Sequence, residues 1–187
     1  MANYGWSLYE QGEYVESYEW FGNSIREDQD YQDGYNGLGW TFGKLVELDS
    51  AVQTFMIGLT KPQNPRMVDI VAHDILAGLT FAHSALKDDS SAVHYGDSLI
   101  WLIEQKIGEK TWIFPHDSTT NYLDVHVTLA LSYYALSDFA ESLGHVQAIY
   151  AVLEPTSPPY VVNTSTIVGR NQLAAEIENL QFYLRGR

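Results

Sequence analysis

Gly5-Trp6-Ser7-Leu8 returns as Gly39-Trp40-Thr41-Phe42, 34 residues further along the chain. The register holds well beyond these tetrapeptides: Tyr14 falls on Leu48, Ser17 on Ala51, Phe21 on Phe55 and Ile25 on Leu59. Gly5 and Ser17 are 12 residues apart, as are Gly39 and Ala51, and Ala130 and Ser142 repeat that step. In this last copy Tyr133, Phe139 and Val146 stand where Leu8, Tyr14 and Phe21 stand in the first. A looser copy lies between, with Gly78 and Phe81 followed by Ala92. There the small-to-small step is 14, and Lys87-Asp88-Asp89-Ser90 is expected to lengthen the turn. Self-similarity at such a period marks stacked supersecondary units.

The physics of two packed helices explains the pattern. A glycine inside a helix costs about 1 kcal/mol relative to alanine. Gly5, Gly39 and Gly78 at like positions therefore point to close helix approach. Ser17, Ala51, Ala92 and Ser142 give the same allowance from the second helix of each pair. No single pair buries its apolar face alone, so the pairs must stack. Helices are expected near 2–11, 14–28, 32–46, 49–60, 66–86, 90–106, 121–136 and 138–153. Asp138, followed by Glu141, reads as a helix N-cap with its capping box. Pro155, Pro158 and Pro159 end the helical run. A last helix over 165–185, capped by Ser165 or Thr166, carries Ile167, Leu173, Ile177, Leu180 and Leu184 as a core-facing stripe.

The units Gly5…Leu8…Gly12-Glu13-Tyr14…Ser17…Phe21…Ser24 and Gly39…Phe42…Leu48…Ala51…Phe55…Gly58 resemble the tetratricopeptide repeat (TPR), a 34-residue helix–turn–helix. Pro62 and Pro155 only approximate the family's end-of-unit proline, and Val46 stands at the turn glycine of unit two. The resemblance implies one all-α domain: a right-handed superhelix of about four TPR-like units plus a C-terminal capping helix. The units span about 2–31, 32–65, 66–106 (degenerate) and 121–155, with an insertion at 107–120 and the last helix at 165–185. It also implies a concave groove lined by the first helix of each unit. By register this places Ala2, Trp6, Tyr9 and Glu10, then Asp33, Asn36, Trp40, Gly43 and Lys44, in the groove. Ile75, Leu79, Ala82 and His83 follow, then Asp124, Val127, Leu131, Tyr134 and Ala135. The expected ligand contacts are Trp6, Tyr9, Asn36, Trp40, Lys44 and Tyr134. The implied function is protein–protein interaction, a partner peptide or helix lying in an aromatic-lined groove. Rings packing only between neighbouring first helices are the structural alternative. Only Asn36 and Lys44 suit a carboxylate, while Glu10, Asp33 and Asp124 oppose one. The expected partner is therefore apolar or basic, not an acidic C-terminal tail, and micromolar binding of such a tail would contradict this.

Composition bounds the alternatives. The 187 residues carry 24 acidic and 10 basic side chains, a formal net charge of −14. That balance disfavours nucleic-acid phosphates and anionic lipid. There is no cysteine, so disulfides, thiolate metal sites and thiol nucleophiles are excluded. The apolar fraction of 45% is that of a folded chain. No run is long and apolar enough to suggest a membrane span. Met1–Trp6 has neither the basic nor the apolar region of a signal peptide and starts inside helical periodicity. A chain cut from a longer protein, with an upstream signal or anchor removed, would begin this way. The expectation is a soluble chain, either cytoplasmic or the soluble part of an exported protein.

The insertion runs Ile107-Gly-Glu-Lys-Thr-Trp-Ile-Phe-Pro-His-Asp-Ser-Thr-Thr-Asn121; Gly78 and Ala130 are 52 residues apart, which leaves 16 beyond the 34-residue period once the two residues of the expected longer third turn are set aside. Long loops in compact domains are commonly functional. Its apolar run Trp112-Ile113-Phe114 is either an exposed docking surface or a flap folded back over the edge of unit three, the second being the simpler expectation. His116, Asp117, Asp124 and His126 have metal-ligating chemistry but no ligand spacing, so no metal or other cofactor is expected. Asp117 or Ser118 is expected instead to cap the following helix. No phosphate loop, dinucleotide fingerprint or nucleophile elbow is present, and no enzyme is expected. A carbohydrate-binding helical domain and a structural scaffold piece of a larger assembly are the competing readings.

Overall fold

The structure, a computed structural model, describes residues 2–62, 70–105 and 111–186. These form nine helices: α1 Ala2–Glu10, α2 Tyr14–Glu27, α3 Gln32–Lys44, α4 Leu48–Leu59, α5 Ile70–Ala85, α6 Asp89–Glu104, α7 Tyr122–Ala135, α8 Phe139–Leu153 and α9 Ile167–Arg185. Among the described residues there is no strand, only an isolated bridge between Ile113 and Asn121. The start expected for the fifth helix, 66–69, lies outside the described residues, as do 106–110.

Consecutive helices pair and stack, α1/α2 on α3/α4 on α5/α6 on α7/α8. Each pair is closed by one residue in the left-handed region: Gly12 (φ 81°), Val46 (63°), Lys87 (63°) and Ser137 (67°). The four turns share a hydrogen bond of 2.9 Å, from Glu13 N to Leu8 O, Glu47 N to Phe42 O, Asp88 N to His83 O and Asp138 N to Tyr133 O. Such a left-handed residue satisfies the orphan carbonyls of the first helix. Only the first turn uses glycine, so three of the four turns carry the strain of a side chain there.

The common turn corrects one expectation. Lys87–Ser90 does not lengthen the third turn, which is built like the others. Counting seven residues back from each left-handed residue gives Gly5, Gly39, Thr80 and Ala130; counting nine forward gives Phe21, Phe55, Gly96 and Val146. Units one and two thus set glycine on the first helix against phenylalanine on the second. Unit three reverses the sizes, Thr80 against Gly96. A Cβ on Gly96 would come within 2.6 Å of Leu129 and 3.0 Å of the Thr80 methyl. Gly78 has a different duty: with Gly37 it receives the phenylalanine of the preceding unit, Gly78 taking Phe55 and Gly37 taking Phe21. The two serines expected to be merely small also bond across the pair, Ser17 Oγ to Gly5 O at 3.0 Å and Ser142 Oγ to Ala130 O at 2.7 Å.

α9 packs mainly on α7 through Gly169, Leu173, Ile177, Leu180 and Leu184. Thr166 caps it, accepting from Gly169 N at 3.0 Å. Ile167, expected in the buried stripe, is 75% exposed because the helix begins there, ahead of the first packed turn. α7 is capped by Asn121, which accepts from Leu123 N while Asp124 accepts from Asn121 N. Asp117 and Ser118 lie too far upstream to cap it.

Candidate functional site on the concave face

Register anchored on the left-handed turns aligns the first helices α1, α3, α5 and α7. Six residues before each turn stand Trp6, Trp40, Phe81 and Leu131; thirteen before stand Asp33, Asp74 and Asp124 in units two to four. Phe81 is therefore the third ring of a row that the glycine-based register misplaced by two residues. Trp40 and Phe81 meet edge to face at 6.1 Å. His83, assigned to the groove by the glycine register, instead stacks on Tyr95 of α6. Ile75 and Leu79 are fully buried core residues.

The concave face of the first three units holds a segment of the chain itself. The insertion neither stands out as an exposed docking run nor merely flaps over the edge of unit three; it crosses units three, two and one in turn. Trp112 donates its indole N–H to Asp74 at 2.8 Å. Phe114, fully buried, stacks on Trp40 at 4.1 Å and meets Trp6 and Tyr9 edge-on at 5.9 and 6.2 Å. His116 lies flat on Trp6 at 3.7 Å, and its Nδ1 is 2.8 Å from Glu10 Oε1. Asp117 pairs with Lys44 at 3.3 Å. Between these anchors, Ile113 and Pro115 face solvent. Alternation of this kind is what a bound segment with extended character presents. The segment closes on itself through Phe114 N to Thr120 O and Tyr122 N to Trp112 O, both 2.9 Å.

The candidate contacts separate accordingly. Trp6, Tyr9, Asn36 and Trp40 are brought together and buried. Lys44 lies at their edge, its ammonium over the Tyr9 ring at 5.7 Å. Tyr134 stands apart, half-buried against Phe139 of α8. Burial, with smaller pushes from Tyr14 and Asp117, holds the Tyr9 phenol far above its usual range, so it stays uncharged. Asp33 accepts from Trp6 Nε1 at 3.0 Å and from Asn36 Nδ2 at 3.3 Å. Three buried polar atoms here, Tyr9 OH, Trp40 Nε1 and Asn36 Oδ1, have no hydrogen-bond partner among the described residues. Further along the same face, Trp40, Phe81, Asp124, Val127 and Arg185 border an open pocket of about 260 Å³.

The four residues with metal-ligating chemistry are not gathered. His116 and Asp117 serve the concave face, and Asp124 serves the cap of α7. His126 instead meets His145 of α8, Nδ1 to Nδ1 at 2.9 Å. Burial pushes both imidazoles down to about 4, His145 adding a smaller electrostatic push on His126.

No family model matches the chain, and no curated protein matches its sequence. Among solved structures the chain is similar to the crystal structure of MamA, with a TM-score of 0.61 at 10% identity, over 98% of this chain and 97% of that one. At that identity the likeness is one of fold, and with four stacked helix pairs and a ninth helix among the described residues the chain has an all-α, TPR-like helical-repeat architecture.

Proposed function

We propose that this chain is a non-catalytic protein-interaction module whose concave face holds a partner segment, one side chain per repeat unit. The carrying observation is the placement of Trp112, Phe114 and His116 on units three, two and one, with the intervening side chains outward. Affinity at such a site comes from buried rings in pockets, with charged pairs at the rim setting register. Trp6, Tyr9, Asn36, Trp40 and Lys44 are the proposed contacts, with Phe81 and Asp74 added to them. Tyr134 belongs to an extension of the site along unit four. The proposed partner is an internal stretch with apolar anchors. Asp33, whose charge by itself would oppose an acidic ligand, already accepts from Trp6 and Asn36, and Lys44 offers one contact for a side-chain carboxylate. Among the described residues, no helix is long and apolar enough to cross a membrane.

The test uses the full chain with residues 112–117 replaced by glycine and serine. A synthetic peptide of residues 111–119 should bind this variant with a Kd in the range of about 1–100 µM. Alanine in place of the peptide's phenylalanine should weaken binding at least about tenfold, or 1.4 kcal/mol. Absence of binding to a variant that keeps its helicity would remove the reading.

A scaffold role has one observation of its own. On the outer side of α9, Val168 is 68% exposed, Phe182 83% and Tyr183 55%. If a second copy covers this face, sedimentation should show mass rising with concentration, and Phe182→Ser should abolish the rise. A wild-type monomer at high concentration would dismiss this role. The carbohydrate reading gains nothing from the rings, since His116 and Phe114 occupy faces of Trp6 and Trp40.

A further inference from the structure

The equivalence of units exposes a mismatch at Asp74. Trp6 of unit one gives its indole N–H to Asp33 of unit two. Trp40 and Asp74 occupy the same two positions one unit later. Yet the indole bonded to Asp74 is that of Trp112, from the inserted segment. The Trp40 indole N–H is buried with no partner among the described residues. The Tyr9 hydroxyl and the Asn36 carbonyl, on the same face, share that condition. A buried polar group without a partner destabilises the arrangement that buries it. The segment therefore fills the groove in shape while leaving part of its hydrogen-bonding capacity unused.

We propose that residues 112–117 are an internal ligand that an external segment of like chemistry displaces, and that Asp74 exchanges the Trp112 indole for that of Trp40 when this happens. The proposal rests on the reading of the concave face as a peptide site and names its ligand. The external segment carries rings at alternate positions and a carboxylate three residues after the middle ring, the spacing of Trp112, Phe114 and Asp117. The middle ring takes the place among Trp6, Tyr9 and Trp40. The carboxylate pairs with Lys44, and a ring or imidazole before it lies on Trp6. Polar groups beside the middle ring gain the Tyr9 hydroxyl and the Asn36 carbonyl as partners, an advantage the internal segment lacks. Release of Trp112 vacates the Asp74 Oδ1 acceptor, which then takes the Trp40 indole N–H as Asp33 takes that of Trp6, and this offsets part of the cost of displacement. Occupancy is then a competition, and the free protein's apparent affinity is lowered by the fraction of time its own segment is bound.

The experiment follows the indole N–H resonances of the 5 tryptophans in the isotope-labelled full chain. Peptide 111–119 with phenylalanine in place of its tryptophan, which keeps the ring but brings no indole N–H to Asp74, is added to the wild type. The resonances of Trp112 and Trp40 should both move while that of Trp6, held on Asp33, stays. The amides of Phe114 and Tyr122, which donate to Thr120 O and Trp112 O, should exchange at least about tenfold faster. Trp112→Phe, which removes the competing indole, should shift the Trp40 resonance without peptide and bind peptide about tenfold more tightly than wild type. If Trp112→Phe loses helicity, Asp117→Asn loosens the segment at its exposed end and should bind several-fold more tightly than wild type. Peptide that binds the glycine–serine variant but leaves the wild-type spectrum unchanged at about 1 mM overturns the displacement proposal and leaves the peptide-site reading standing. Failure to bind either protein overturns both. Unchanged affinity in the loosened variants also overturns the displacement.

Discussion

Phe55→Ala should lower the unfolding free energy by about 3–5 kcal/mol, the range for deleting a fully enclosed aromatic ring. Phe55 is 2% exposed and lies between two glycines, Gly39 of its own unit and Gly78 of the next. A Cβ built on Gly39 would stand 2.5 Å from the ring, and one on Gly78 2.3 Å. Neither helix can close on the vacated space without moving the whole pair, so the cavity persists. The converse substitution tests the same interface. Gly78→Ala in the wild type should cost about 1–3 kcal/mol by overpacking, even though alanine favours the helix. In the Phe55→Ala background the obstructing ring is gone, and Gly78→Ala should stabilise by up to about 1 kcal/mol through helix propensity. Urea melts of the four proteins give this cycle. Additive effects would show that the ring and the glycine do not share one space, and would undo the account of how units two and three lock together.

The same interface shows what was legible in the sequence. The 34-residue period, the four helix pairs and the capping helix follow from the spacing of small and large residues. The register of unit three did not, for two physical reasons. Its turn residue is Lys87, and nothing in a lysine announces a left-handed backbone. Its size pairing is inverted, Thr80 against Gly96, so alignment on glycine slides the helix by two residues. That slip hid Phe81 as the companion of Trp6 and Trp40, and hid the shared position of Asp33, Asp74 and Asp124. In sequence, Trp112, Ile113 and Phe114 read as one apolar run and His116 as a separate metal-ligating side chain, so the alternating pattern of Trp112, Phe114 and His116 emerges only in the folded chain. Where that pattern would dock is a tertiary fact, fixed by rings on α1 and α3 and a carboxylate on α5, far away in sequence.

The arrangement also says why the concave face, and not the back, carries the candidate site. Stacking consumes the glycines, serines and phenylalanines between successive helices. What remains on the first helices is a row of rings and carboxylates repeated at one height per unit. A segment crossing such a row meets chemically similar surroundings at each step, and its side chains must match the spacing of the units. In this protein that spacing is matched by alternate residues of its own insertion. The departures between units fix the register of that insertion: Glu10 opposite His116, Lys44 opposite Asp117, Asp74 opposite Trp112.

Acidification should weaken the fold through the histidine pair of α7 and α8. His126 and His145 are neutral in the folded state, with both pKa values pushed down to about 4 from the usual 6.5. Each folded value lies below the unfolded one, so the unfolded chain binds more protons between them. Stability is fully present above about pH 6.5 and falls as pH drops toward 4. The surroundings act in both directions. Tyr122 of α7 lies edge-on to His126, and Tyr133 stacks on His145. Asp97 of α6 reaches to 4.0 Å from His145 Nε2 and accepts from the Tyr133 hydroxyl, with His94 nearby on its own helix. Burial holds the Asp97 carboxyl above its usual range, so its protonation works against the histidines and recovers part of the loss. The two rings also share one hydrogen bond and do not contribute in full. The expected net loss from pH 7.5 to pH 5 is about 2–3 kcal/mol, at 1.4 kcal/mol per unit of displaced pKa. Urea midpoints measured down to pH 5, above the isoelectric point near 4.6, should drop for the wild type and stay nearly level for the His126→Asn/His145→Gln double variant. Parallel curves for the two proteins would mean that the pair is not buried neutral at the centre of the fourth unit.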